Sequence, residues 1–442
     1  MKNTVTINGK INKFNKRIYV PGDKSLSIRW VLMASQGIGK SIAYNLLKSE
    51  DVLSALNAVK KLGINYKINN KYCEIKGRGL NGFRFKKKTI INAGNSGTLA
   101  RLIFGLLIKT KNEIILKGDK SLSKRDFSRV AVPMQMFGMN IESRFNRLPI
   151  KIKGTDYPRP IDYIEEKGSA QVKSCILLAA MNTNGVTKIK CINSRNHTEK
   201  LFKYLNLPIK IKKNKKLEVI TYKGKKNYKG FKYHIPGDIS SSSFFIVLTL
   251  LSKNSKILIK NINVNKSRTG IIDILKIMNA NIILKNIRNY KGEKIADIYV
   301  KSSDKLKSIK CPVEMNSRAI DEFLLIFLAC AKAKGISSFT KIGELRNKET
   351  DRLKFANIFL NNIGIKTKIS KDNFKIYGNP NLNLSGSYKI KNFDKDHRAC
   401  MLSLIAALVL GGKWQVHDID SINTSFPNFI SILKSLGAKI NE

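Results

Sequence analysis

The chain has 442 residues, 43% of them hydrophobic and 8% aromatic, enough for two or three domains with substantial cores and too apolar for a disordered protein. Its 82 Lys and Arg against 31 Asp and Glu give a formal charge of +51, so anionic partners have to be weighed. The longest apolar stretch, Ala399 to Leu410, is interrupted by Ser403 and falls short of the about 20 residues of a membrane span, which excludes a helical membrane protein.

From Thr4 the chain alternates like a strand, with neither an apolar signal core nor an Arg-rich leader before it, and a cytoplasmic protein is expected. Pro21-Gly22-Asp23-Lys24-Ser25-Leu26-Ser27-Ile28-Arg29 is a polar motif ahead of a helix, and Leu62-Gly63-Ile64 reads as the first helix stop. Gly94-Asn95-Ser96-Gly97-Thr98-Leu99-Ala100-Arg101 opens the next helix, followed by Lys124-Arg125 and the stop Phe137-Gly138-Met139. Lys167-Gly168-Ser169-Ala170-Gln171-Val172-Lys173-Ser174 leads into the apolar run Ile176 to Met181, then to Ser194-Arg195 and the stop Leu205-Asn206-Leu207. Pro236-Gly237-Asp238 precedes the apolar run Phe244 to Leu251, with a stop at Met278-Asn279-Ala280. Ser317-Arg318-Ala319-Ile320-Asp321-Glu322 opens the run Phe323 to Ala329, and Gly335 turns the chain into a strand over Ile336 to Ile342. Lys348-Glu349-Thr350-Asp351-Arg352 then starts a helix that ends at Ile363-Gly364-Ile365. Asp396-His397-Arg398 opens the run Met401 to Leu410, and Leu436-Gly437-Ala438 is the sixth stop.

Gly and Asn tolerate the left-handed conformation that closes a helix, and the six stops recur at intervals of 75, 68, 73, 85 and 73 residues. A repeat of about 75 residues is too long for a solenoid unit, and six divide naturally into two halves of three. Because the first helix of each repeat is apolar nearly all round, it must be buried among strands. The fold class expected is therefore α/β: two similar domains, each three copies of one unit, with buried helices surrounded by sheets.

The polar motifs stand where helices begin, and a helix start offers unpaired N–H groups and a positive dipole end to anions. Ordinary capping explains any one motif equally well, but capping does not require the adjacent Lys and Arg. Asp321 and Glu349 supply carboxylates at the same helix starts, where dipole compensation is the plainer reading of either one alone.

Six cysteines (Cys73, Cys175, Cys191, Cys311, Cys330, Cys400) lack any C-x-x-C pair, and several lie in apolar runs, so reduced core thiols are expected. The histidines His197, His234, His397 and His417 have no metal-ligand spacing, and neither a metal nor another cofactor is expected. Lysines are spread through the chain beside Asn and Ile instead of gathering in one arm, which favours small anionic substrates over nucleic acid.

Taken in order, the motifs Pro21 to Arg29, Gly94 to Arg101, Gly118 to Arg125, Gly168 to Ser174, Ser194 to Lys200, Pro236 to Ser241, Ile320 to Glu322, Lys348 to Arg352 and Asp396 to Arg398 resemble those of the 5-enolpyruvylshikimate-3-phosphate synthases, from about residue 17 to the C-terminus. The resemblance implies an inside-out α/β fold crossed twice by the chain, with residues 1–22 and 237–442 in one domain, 23–236 in the other, and the active site in the cleft between them. It implies transfer of the enolpyruvyl group of phosphoenolpyruvate to the 5-hydroxyl of shikimate-3-phosphate with release of phosphate, a step of aromatic amino acid biosynthesis, by a monomer that binds neither nucleic acid nor membrane.

By the same resemblance, shikimate-3-phosphate would contact Lys24, Ser25, Arg29, Ser169, Ala170, Gln171, Ser194, Arg195, Asp321 and Lys348. Phosphoenolpyruvate would contact Lys24, Asn95, Gly97, Arg125, Gln171, Arg352 and Arg398, with four cations around a trianion. Asp321 would take the hydroxyl proton, while Lys24 and Glu349 exchange protons at the methylene and the leaving phosphate. The sequence departs from some members at Thr424, where they carry a lysine that touches phosphoenolpyruvate, and at Arg195 and His197, where some place a tyrosine. Two other readings compete. A UDP-N-acetylglucosamine enolpyruvyl transferase characteristically carries a reactive cysteine before the Arg125 region, and no cysteine occurs here between Cys73 and Cys175. A basic nucleic-acid-binding protein needs clustered lysines interleaved with aromatics for stacking, a pattern this sequence lacks.

Overall fold

The computed structural model describes residues 3–214, 217–391 and 393–441. All six predicted stops have the left-handed conformation: Gly63 at φ +85°, Gly138 at +101°, Asn206 at +53°, Asn279 at +68°, Gly364 at +80° and Gly437 at +98°. The repeat is thus a repeat of structure. Between stops, the chain forms six sheets, five four-stranded and one three-stranded among the described residues.

Five sheets share one pattern, in which an edge strand runs parallel to its neighbour and that neighbour is antiparallel to the next. Asp162–Glu165, Val186–Ile192 and Leu217–Lys223 show it, as do Thr89–Asn92, Ile114–Lys117 and Ile150–Lys153. A parallel pair needs a crossover, and helices Gly97–Leu106, Ala170–Ala180 and His397–Leu410 supply it in three of these sheets; in the other two the parallel partners, Lys232–His234 with Ile38–Tyr44 and Asn15–Ile18 with Lys256–Asn263, come from distant parts of the chain. In the fifth repeat the strand is Gly335–Phe339, shorter at its far end than expected, and its parallel edge partner is reduced to bridges from Lys307 to Lys334 and Lys310 to Ser338.

The chain divides into two compact units, one of residues 1–21, 236–289 and 294–442, the other of 22–235 with 290–293. In the second unit, helix Gly97–Leu106 packs against both Lys24–Gln36 and Ala170–Ala180. Gly105 permits the closer of these contacts, since a Cβ there would stand 2.2 Å from the carbonyl oxygen of Cys175. In the first unit, helices Ile239–Leu251, Phe323–Ala331 and His397–Leu410 pack pairwise in all three combinations. Each set of three lies inside its own sheets, and each unit has its own apolar core.

All nine residues of Phe323–Ala331 are buried, and each large apolar side chain so placed contributes roughly 1.5–3 kcal/mol. The lysines take the opposite face of the strands. In Val186–Ile192, Thr187, Ile189 and Cys191 are buried while Lys188 and Lys190 are exposed, and Lys151 and Lys153 repeat the pattern in Ile150–Lys153. The excess positive charge therefore lies in part on solvated sheet faces, where it also discourages edge-to-edge pairing.

Candidate active site

The central helices are buried along almost their whole length, and the residues that escape burial are informative. In Lys24–Gln36 they are Lys24 and Ser25; in Gly97–Leu106, Thr98 and Arg101; in Ala170–Ala180, Ala170 and Gln171; in His397–Leu410, Arg398 alone. These lie in or just past the first turn, where an anion meets the unpaired N–H groups, whereas in Ile239–Leu251 the residue that escapes burial is Leu251 at the far end.

The caps differ among these helices. Asp23, Asp238 and Asp396 accept hydrogen bonds from the backbone N–H of Leu26, Ser240 and Arg398, whereas Ser96 and Ser169 accept from Leu99 and Val172. A carboxylate cap offsets the positive end of its helix, so of these five starts only the two capped by serine have neutral caps. Serine also accepts the capping bond on a lone pair and keeps its O–H for a further acceptor. Glu165 occupies part of the loop before Ser169, accepting from the N–H groups of Lys167 and Ser169 at 3.2 and 2.8 Å.

Within the second unit, two groups of predicted site residues come together. In the first, Arg29 is held by three bonds: Nε to Thr198 Oγ1 at 2.8 Å, Nη2 to Ser174 Oγ at 3.0 Å and Nη1 to the Ser25 carbonyl at 3.1 Å. Ser174 and Thr198 are themselves 2.7 Å apart, which ties helices Lys24–Gln36, Ala170–Ala180 and His197–Tyr204 at one point. Ser194 and Arg195 stand just before the last of these helices, and Ser194 Oγ is a buried hydroxyl without a hydrogen-bond partner among the described residues. Lys24 pairs with Asp51 at 2.8 Å.

The second group surrounds Gly97. Arg101 Nη1 and Arg125 Nη1 lie 2.9 and 3.0 Å from the point where a Cβ on Gly97 would stand, so any other residue there would push against both guanidinium groups. Arg101 donates to Gln171 Oε1 and Gln171 donates to Thr98 Oγ1, each at 3.2 Å. Asn95 donates to Asp119 at 2.6 Å, a bond that fixes the turn ahead of Gly97.

Within the first unit, Asp321, Lys348, Glu349, Arg352 and Arg398 form a single cluster. Arg352 is 2% exposed and grips Asp396 with Nε and Nη2 at 2.8 and 3.2 Å, while Glu349 lies 2.6 Å from Nη2 and Asp321 3.8 Å from Nη1. Burial works to lower the pKa of Arg352, but Asp396, Glu349 and Asp321 outweigh it and the pKa is raised. Lys348 Nζ is 3.4 Å from Asp321, and Arg398 donates to the Asp321 carbonyl at 2.9 Å and lies 3.8 Å from Glu322. Three cations thus stand among four carboxylates. Lys24 and Arg352 are ion-paired within the protein.

Sequence reasoning gave no role to Thr198, Ser174, Arg101, Asp51 or Asp396, although all but Asp51 sit in motifs it singled out. The signal available was adjacency, since Asp396 precedes Arg398 by two residues and Ser174 follows Gln171 by three. Thr424 donates to the Ser421 carbonyl at 2.8 Å.

A model of the family described as EPSP synthase (3-phosphoshikimate 1-carboxyvinyltransferase) matches residues 9–433. The chain belongs to the EPSP synthase family. A 3-phosphoshikimate 1-carboxyvinyltransferase of Ruthia magnifica is 39% identical over 431 residues, covering 97% of each chain, and one of Petrotoga mobilis is 37% identical over 426 residues, covering 96% of this chain and 97% of that one. The solved EPSP synthase of Acinetobacter baumannii superposes with a TM-score of 0.86 at 32% identity over 99% of both chains. The enolpyruvyl transferase NikO of Streptomyces tendae shares the fold, with a TM-score of 0.77 at 14% identity over 100% of this chain and 99% of that one.

EPSP synthase family membership accords with the state of the cysteines. All six are buried, and burial pushes Cys73, Cys175, Cys330 and Cys400 up to about 12 and Cys191 and Cys311 up to about 11, so none has the character of a nucleophile. No helix among the described residues is long and apolar enough to cross a membrane, and no group of three His, Cys, Asp or Glu among them is placed to hold a metal.

Proposed function

We propose that the protein transfers the enolpyruvyl group of phosphoenolpyruvate to the 5-hydroxyl of shikimate-3-phosphate and releases phosphate. The observation that carries this reading is the cluster in which Arg352 is shared by Asp321, Glu349 and Asp396 with Lys348 and Arg398 beside it, because it joins anion-binding cations to carboxylates able to move protons.

Arg29 and Ser25 take the shikimate carboxylate. Ser169, Ala170, Ser194 and Arg195, with Lys348, take its phosphate, and Gln171 lies along the ring. Phosphoenolpyruvate is held by Lys24, Asn95, Gly97, Arg125, Arg352 and Arg398. Its carboxylate and phosphate exchange with the internal carboxylates, and a carboxylate that gives up its cation becomes a better proton acceptor. Asp321 then takes the proton of the 5-hydroxyl as that oxygen bonds to the central carbon of phosphoenolpyruvate, and the methylene gains a proton from Lys24 or Glu349. The tetrahedral adduct returns that proton, re-forms the carbon–carbon double bond and expels phosphate. Holding two anions in register supplies much of the acceleration, a contribution that reaches about 7–11 kcal/mol in well-oriented systems.

The protein is read as a cytoplasmic monomer with no nucleic-acid partner, since its lysines are spread along the chain instead of gathering in one arm or helix. Phosphate release from the two substrates, compared among wild type, Lys24→Ala and Arg125→Ala, tests the assignment. Near-complete loss is expected in both variants, and release indifferent to either substitution overturns the site.

A further inference from the structure

Four buried charged or titratable groups left without a role in the reaction, Lys173, His197, Glu199 and Glu293, meet around one helix start. His197, Thr198 and Glu199 begin helix His197–Tyr204, all three are no more than 2% exposed, and each is tied to a different partner. Thr198 accepts from Arg29, Glu199 lies 2.6 Å from Lys173, and His197 Nδ1 lies 2.7 Å from Glu293 Oε1. A helix start fixed at three consecutive residues leaves the segment just before it, Ser194-Arg195, little freedom to drift.

Glu293 is the distant member of this arrangement. It comes from a hairpin whose strands, Ile282–Tyr290 and Glu293–Lys301, lie mostly in the first unit, while residues 290–293 at its tip are part of the second. The tip is secured on every side. Tyr290 accepts from the N–H of His234 at 2.9 Å, Lys291 Nζ stands 5.1–5.6 Å from the ring centroids of Tyr204, Tyr233 and Tyr290, and Lys200 donates to the Gly292 carbonyl at 2.9 Å. Lys200 also lies 3.3 Å from Glu293 Oε2, so both oxygens of a carboxylate 1% exposed have cationic or imidazole partners on helix His197–Tyr204.

We infer that Glu293 is a positioning residue for the substrate-phosphate subsite, acting through His197 on the Ser194-Arg195 segment. It touches neither substrate; it sets the helix start from which that segment is presented. The inference rests on the reading of Ser194 and Arg195 as phosphate ligands, and a loop displaced by about 1 Å costs far more in a charge-to-charge contact than in solvent-facing packing.

The test is steady-state kinetics on the full chain with Glu293→Gln, Glu293→Asp, His197→Asn and Arg195→Ala, varying each substrate at saturating levels of the other. Glu293→Gln should raise KM for shikimate-3-phosphate by about tenfold while KM for phosphoenolpyruvate and kcat stay within about threefold, with partial rescue by Glu293→Asp. If Glu293→Gln does not yield folded protein, Glu293→Asp and His197→Asn should show the same split at smaller amplitude. An unchanged KM for shikimate-3-phosphate, or equal effects on both substrates, overturns the inference so long as Arg195→Ala raises that KM. If Arg195→Ala leaves it unchanged, the phosphate reading itself fails.

Discussion

Replacing Lys173 with methionine should destabilise the second unit by about 3 kcal/mol. Lys173 is fully buried, 2.6 Å from Glu199 and 3.3 Å from Glu218, and these carboxylates are 2% and 4% exposed. Burial works to lower its pKa, yet Glu199 and Glu218 together raise it, so the ammonium is held charged inside the protein. Methionine has similar length and helix propensity, so the loss is one of charge and not of volume. Breaking a buried pair by removing one partner costs about 3–5 kcal/mol because a charge is left stranded. Glu218 retains Lys213 at 2.8 Å, so chiefly Glu199 is stranded and the lower end of that range applies. The protein has two tryptophans, Trp30 in the second unit and Trp414 in the first, both buried. In a Trp414→Phe background, urea unfolding followed by Trp30 fluorescence reads the second unit alone. The double variant Lys173→Met, Glu199→Gln should recover most of the loss, since the stranded charge is gone. A shift equivalent to less than about 1 kcal/mol, or no recovery in the double variant, refutes the reasoning.

Other outcomes follow from the same geometry. Gly97→Ala, by placing a Cβ against the Arg101 and Arg125 guanidinium groups, should raise KM for phosphoenolpyruvate by about tenfold in steady-state assays. A native protein with all six thiols buried and their pKa values raised should leave a thiol reagent at pH 8 unconsumed until urea exposes the cysteines. Glu293 loses some proton affinity despite burial, because His197 and Lys200 outweigh it, so its folded pKa lies below the ordinary 4.5. Its stabilisation is therefore complete above about pH 5 and is lost as pH falls through the lower folded value. The Tm difference between wild type and Glu293→Gln should shrink as pH falls below about 5.

Much of the architecture was legible because the signals are local. A left-handed Gly or Asn after an apolar helix end, an all-apolar helix and a polar motif at a helix start each lie within a few residues of sequence, and their sixfold recurrence gave the two-by-three plan. The motifs at the helix starts were legible for the same reason, since each lies within a few residues of sequence.

What the sequence by itself determined is which residues occupy those first turns and that each unit closes on apolar helices. Only the tertiary structure decided how their charges are matched. Lys24 meets Asp51 at 27 residues' separation, Arg352 meets Asp396 at 44 and His197 meets Glu293 at 96. Backbone periodicity reaches only a few residues, whereas a buried charge must find an opposite charge wherever the fold places one.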